Sequence, residues 1–136
     1  MSIIFFDHFD PATGEELWLN SGGITKLVKD INPGPGWSNP ENLTTVGGTL
    51  FFTAYDDTNG YQLWRTDGTA AGTVMLTTLA PNNNSPFGLV NVNGNVFFQV
   101  GVTEGNSILY NQLWKTVRLP EQHNSLARSL SPTQLL

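Results

Sequence analysis

The chain has 136 residues, 39% of them apolar and only 12% charged, with 14 glycines, 8 prolines and no cysteine. One domain is expected at this length, and low charge with many turn formers points away from a charge-rich disordered chain. A net charge of −5 disfavours nucleic acid and anionic membrane surfaces as partners, and the lack of cysteine excludes disulfides, thiolate zinc sites and cysteine nucleophiles.

Ile3 to Phe6 reads as an apolar strand. It is too short for a signal-peptide core and lacks a basic leader. No run reaches the ~18 apolar residues a spanning helix needs, so membrane insertion is not expected. The loop Phe9 to Gly14 leads to Glu16-Leu17-Trp18, and Lys26-Leu27-Val28 follows. A second loop, Pro33 to Asn39, carries Trp37. Gly47-Gly48 then links two apolar runs, which is a hairpin signal. Thr49 to Tyr55 reads as a strand, Asp56-Asp57-Thr58-Asn59-Gly60 as a turn, and Tyr61 to Thr66 as the next strand. Asp67-Gly68-Thr69 turns the chain into Gly72 to Leu79, a strand on the strength of its β-branched residues. Pro81 to Pro86 is a loop and Phe87 to Val92 a further strand, followed by Asn93-Gly94-Asn95 in the place of Gly47-Gly48. After Thr116 the pattern stops. Residues 117–136 are richer in Arg, Gln, Leu and Ser, and Leu126 to Leu130 suits one helical turn.

These elements repeat. Phe5-Phe6, Phe51-Phe52 and Phe97-Phe98 are spaced by 46 residues. Leu17-Trp18 and Leu63-Trp64 keep that spacing, and Leu113-Trp114 follows after 50, so the third copy holds a four-residue insertion within Gly105 to Tyr110. Lys26-Leu27-Val28 aligns with Val74-Met75-Leu76 if the second copy has two extra residues. Four short strands per ~46 residues is the period of a β-propeller blade. The expectation is an all-β fold of about two and a half four-stranded propeller-like blades, with a β-sandwich of about eight strands as the alternative. The repeats occupy residues 1–116 (about 1–47, 48–93 and 94–116), and 117–136 form a divergent tail.

Gln62-Leu63-Trp64-Arg65-Thr66-Asp67-Gly68-Thr69 resembles the ELWxxDGT repeat found in tandem in large bacterial, especially cyanobacterial, proteins. Lys29 to Gly34, Asn39 to Leu43 and Gly48 to Ala54 resemble its connecting sequence, so the likeness covers residues 3 to about 116. It implies propeller-like or related all-β architecture and an exported or cell-surface setting, and it implies no chemistry. The first copy departs from the pattern with a Ser in place of Asp, and the third loses Asp-Gly-Thr outright.

Each chemical reading has a structural competitor. Trp18, Trp64 and Trp114, one per repeat beside a Leu, read as packing between blades. Asp67 reads as a turn residue bonding its own backbone two residues on, with Gly68 supplying positive φ. Asp56 to Gly60 is the best calcium candidate, being short and oxygen-rich, but it lacks the ligand spacing of an EF-hand. Glu15-Glu16 and Asp56-Asp57 read as solvated turn charges. The histidines, His8 and His123, form no ligand-spaced pair, and no Gly-x-Ser-x-Gly elbow exists. Trp37 does not recur. Among Asn and Ser it suits sugar stacking, although burial under a neighbouring loop is the preferred reading.

The expectation is therefore a non-catalytic binding or adhesion module taking a glycan or protein ligand. The alternative is a structural fragment of a larger repeat protein with no ligand. Trp37, Asp56, Asp57 and Asn59 are the candidate ligand residues, calcium is the one cofactor considered, and no catalytic or metal-ligating residue is assigned. Because propellers close with about 4 to 8 blades, an open set should self-associate, with a symmetric homodimer the first expectation.

Overall fold

A computed structural model of the chain describes residues 2–79, 85–104, 107–118 and 127–129. Eleven strands and no helix occur among them, in three small antiparallel sheets. Sheet 1 holds β1 (Ile3–Asp10), β2 (Gly14–Ser21) and β3 (Ile24–Leu27). Sheet 2 holds β4 (Glu41–Val46), β5 (Thr49–Asp56), β6 (Gly60–Thr66) and β7 (Val74–Met75). Sheet 3 holds β8 (Phe87–Val92), β9 (Asn95–Glu104), β10 (Ser107–Arg118) and β11 (Ala127–Ser129). In each sheet, strands adjacent in sequence are adjacent in space. The all-β expectation holds, and among the described residues no sheet closes on itself.

The internal repeat appears directly in strand register. Phe6 pairs with Trp18, Phe52 with Trp64 and Phe98 with Trp114. Trp18 then meets Leu27, and Trp64 meets Met75, as the two-residue offset of the second copy requires. Turn chemistry sets the two tight hairpins β2–β3 and β8–β9. Gly22-Gly23 and Asn93-Gly94 both carry positive φ at two successive positions, the geometry that lets two residues reverse a twisted strand pair. β8 is joined to β9 in this way, and β4 to β5 through Gly47-Gly48, where Gly47 has positive φ and Gly48 does not. A division at 47/48 and 93/94 cuts each of these sheets through its first hairpin.

Three local expectations change. Gly72 to Leu79 is not a full strand, since only Val74–Met75 pairs with β6. Its threonines bond through their side chains instead: Leu63 N donates to Thr77 Oγ1 (2.9 Å), and Thr73 Oγ1 meets Thr66 Oγ1 (2.7 Å). Such bonds compete with the ladder. The insertion in the third copy lengthens a hairpin, giving β9 10 residues and β10 12, with a register shift between Ile108 and Tyr110. The tail also contributes structure. Ala127–Ser129 is a strand and not part of a helical turn, because Thr116 to Arg118 offers it an open antiparallel edge.

Sheet 2 is the middle layer. One core joins Leu17 and Leu19 of β2 to Leu50, Phe52, Ala54 and Trp64 of sheet 2, with Val28 and Ile31 from the connecting segment. A second joins Leu63 of β6 to Phe98, Val100 and Trp114 of sheet 3. Leu50 through Ala54 are consecutive and all buried, so β5 is covered on both faces. Full burial of Phe52 or Phe98 contributes roughly 2–3 kcal/mol each. Trp64 and Trp114 pack between sheets as expected, whereas Trp18 belongs to neither core and lies on the outward face of sheet 1 against His8.

Candidate functional site

The segment between β3 and β4 knits sheet 1 to sheet 2 and in doing so presents Trp37. Ser38 is the stitch. Its N–H donates to Glu15 O (2.8 Å), its carbonyl accepts from Tyr55 N (2.7 Å), and its hydroxyl donates to Glu16 Oε2 (2.6 Å). Asn32 Nδ2 donates to Trp37 O (2.9 Å), and Gly34 N donates to Asp30 Oδ2 (3.1 Å). Gly14 lies so close beneath that a Cβ there would run into the carbonyl of Gly36. The loop is therefore held by buried partners, and its side chain at 37 is left outside.

Trp37 is 49% exposed, so the expected burial under a neighbouring loop does not occur. It leans on Tyr55, with ring centroids 5.0 Å apart and planes 31° apart, and lies 6.5 Å from Tyr61. Tyr55 and Tyr61 are a direct cross-strand pair of β5 and β6, 5.3 Å apart. Asn39 borders the cluster, with Nδ2 donating to Tyr61 Oη (3.0 Å) and Glu41 Oε1 (2.8 Å). Its φ is +46°, a left-handed conformation that Asn tolerates better than most residues. The result is three clustered aromatic rings, part apolar and part hydroxylated, edged by an amide and a carboxylate.

The acidic turn divides between structural and available groups. Asp56 is buried, and its carboxylate accepts from Thr58 N (2.9 Å), Asn59 N (2.6 Å) and Asn59 Nδ2 (2.9 Å to Oδ2). Asp56 and Asn59 are thus absorbed in holding the turn. Asp57 is exposed and tied back by its N–H to Asn32 Oδ1 (3.1 Å), so Asn32 bonds both Trp37 and Asp57. Of the four candidates, Trp37 and Asp57 share a joint and face solvent, whereas Asp56 and Asn59 are occupied. Among the described residues no three acidic or histidine side chains converge as a metal site. The Asp67 turn has the expected form, with Thr69 N donating to Asp67 Oδ1 (2.9 Å) and Gly68 at φ +98°. Thr69's hydroxyl and amide hold the Asp67 carboxyl below its ordinary value. His8 packs against Trp18, and His123 lies outside the described residues.

Glu16 is the largest departure. Read from sequence as a solvated turn charge, it lies in β2 with no exposure. It accepts from Ile31 N (3.0 Å), Asn32 N (3.1 Å) and Ser38 Oγ (2.6 Å), clamping the loop that carries Trp37. Burial pushes its carboxyl up to about 7, while those three donors pull the other way. Glu15, also in β2, is raised by burial and then by its neighbour Asp7. Two signals could have revealed Glu16: it immediately precedes Leu-Trp, and 46 residues later the same place holds Gln62. Tyr55 and Tyr61 also escaped the sequence reading, although a hairpin through Asp56 to Gly60 brings them opposite each other.

No protein-family model, curated protein or solved structure matches the chain.

Proposed function

We propose that this chain is a non-catalytic binding module that takes a glycan on Trp37, Tyr55 and Tyr61. The observation that carries this reading is the half-exposed Trp37 supported by two tyrosines. A sugar ring has an apolar C–H face and a rim of hydroxyls, so it suits an aromatic face bordered by hydrogen-bonding groups. Asn39, Glu41 and Asp57 would serve the hydroxyls. A loop clamped from beneath makes the surface preorganised, which lowers the ordering cost of binding.

The sheet order and the Leu-Trp register support blades of a propeller type over an ordinary two-sheet sandwich. The ELWxxDGT resemblance favours a cell-surface setting for this module. The second reading is a structural array with no ligand, for which the committed Asp56 and Asn59 speak. A glycan-array screen of the purified chain, with and without added calcium, separates the two. Saturable binding that falls at least tenfold in Trp37→Ala, with folding unchanged, supports the platform. Absence of binding to any glycan supports the array. Dependence on calcium would move the site toward Asp57.

A further inference from the structure

We propose that the outward faces of sheets 1 and 3 bind each other between copies of this chain, head to tail. The argument starts from the two interfaces inside the chain. At the first, Phe5, Leu17 and Leu19 of sheet 1 pack against Leu50, Phe52, Ala54 and Trp64 of sheet 2. At the second, Leu63 of sheet 2 packs against Phe98, Val100 and Trp114 of sheet 3. The 46-residue repeat makes these the same joint. Leu17 and Leu63 are equivalent and both 0% exposed, and so are Phe52 and Phe98.

Each outer sheet then carries the unused half of that joint. On sheet 1 the places of Leu50, Phe52, Ala54 and Trp64 are taken by Ile4, Phe6, His8 and Trp18. Ile4 is 62% exposed, and His8 and Trp18 lean on each other with centroids 4.9 Å apart. On sheet 3 the place of Leu17 and Leu63 is taken by Leu113, which is 43% exposed, with Phe97 in the place of Phe5. The two faces differ from each other, and each resembles the natural partner of the other. A second copy placed with its Leu113 face on the Ile4–Phe6–Trp18 face continues an interface the chain already makes twice. A symmetric dimer, the sequence-level expectation, would set like against like and reproduce neither joint.

Sedimentation equilibrium at micromolar concentration tests this with two exposed-site variants, Ile4→Glu and Leu113→Glu, each checked for an unchanged far-UV circular dichroism spectrum. The wild-type chain is expected to associate. Each variant alone is expected to be monomeric, because each has lost one of the two unlike faces. Their equimolar mixture is expected to form a heterodimer, since the intact Leu113 face of the first meets the intact Ile4 face of the second. A monomeric wild-type chain overturns the proposal. So does either variant self-associating like the wild type, or a mixture that stays monomeric. If one variant loses its fold, Ile4→Ser and Leu113→Ser replace the pair with the same expected pattern. Trp37 lies on neither face, so failure here is distinguishable from failure of glycan binding.

Discussion

Glu16 and Gln62 occupy the same place in successive repeats, and each ties the segment after its sheet's last strand back to the sheet, but with different chemistry. Gln62 Oε1 accepts from Thr77 Oγ1 (2.6 Å) and Leu79 N (2.9 Å), while its Nε2 donates to Asn59 O and Leu79 O (2.8 Å each). Glu16 meets only donors. The first loop therefore presents N–H and O–H groups to its clamp, and the second presents carbonyls as well. A carboxylate suits the first and would be repelled by the second. One joint carries a charge that burial opposes, and the other carries none.

Exchanging the two residues breaks the comparison most severely at the second joint. Gln62→Glu places a carboxylate against the carbonyls of Asn59 and Leu79, and we expect a loss of about 3–4 kcal/mol at pH 8. Part of this should return near pH 5, where a protonated carboxyl can donate once. Urea denaturation at the two pH values measures both effects. A loss independent of pH would show that shape, not charge, governs the joint.

The reverse exchange concerns the pH dependence of the native chain. With Glu16 raised to about 7 from an ordinary 4.5, the folded state keeps a proton that the unfolded state has lost. Unfolding free energy therefore falls as pH rises from about 4.5 to 7 and is level above that. A shift of that size in a fully buried group corresponds to about 3 kcal/mol at most. Glu16→Gln should remove this slope, and at pH 8 should cost about 1 kcal/mol because its amide N–H2 faces a donor. An unaltered slope would place the responsible group elsewhere.

The smallest expected effect lies away from both joints. Asp67→Ala removes the bonds to Thr69 N and Thr69 Oγ1 and should cost about 1 kcal/mol without affecting ligand binding. Because its folded value is lowered, the Asp67 contribution is present above the ordinary carboxylate value and fades on acidification through the folded one. Thermal denaturation at pH 7 and pH 3 compares the variant with the native chain. A collapse of ligand affinity at unchanged stability would make Asp67 a binding residue.

Strand positions were legible because period, turn residues and apolar runs agreed. Phe87 to Val92 is a strand with those bounds, and Lys26-Leu27-Val28 aligns with Val74-Met75-Leu76 as the registers require. The seventh strand was overread because Thr73 and Thr77, counted as β-formers, spend their hydroxyls on neighbouring segments. Ala127–Ser129 was missed because a three-residue edge strand follows from the partner it meets and has no period of its own. The candidate site was half legible. Trp37 stood out because it breaks the repeat, whereas Glu16 was hidden inside it: beside Glu15 it looked like surface charge, and only its three buried donors mark it as a clamp.

The binding account is tested most directly by the indole N–H signals of the four tryptophans in a ¹H–¹⁵N correlation spectrum, followed while the best array glycan is added. Each reports a separate place: Trp18 the outward face of sheet 1, Trp64 and Trp114 the joints between sheets, Trp37 the proposed platform. The Trp37 signal should move saturably with the other three fixed, and Trp37→Phe should abolish that change while retaining weakened binding. A shift confined to Trp18 or Trp114, or saturation of binding with the Trp37 signal unmoved, would contradict the account.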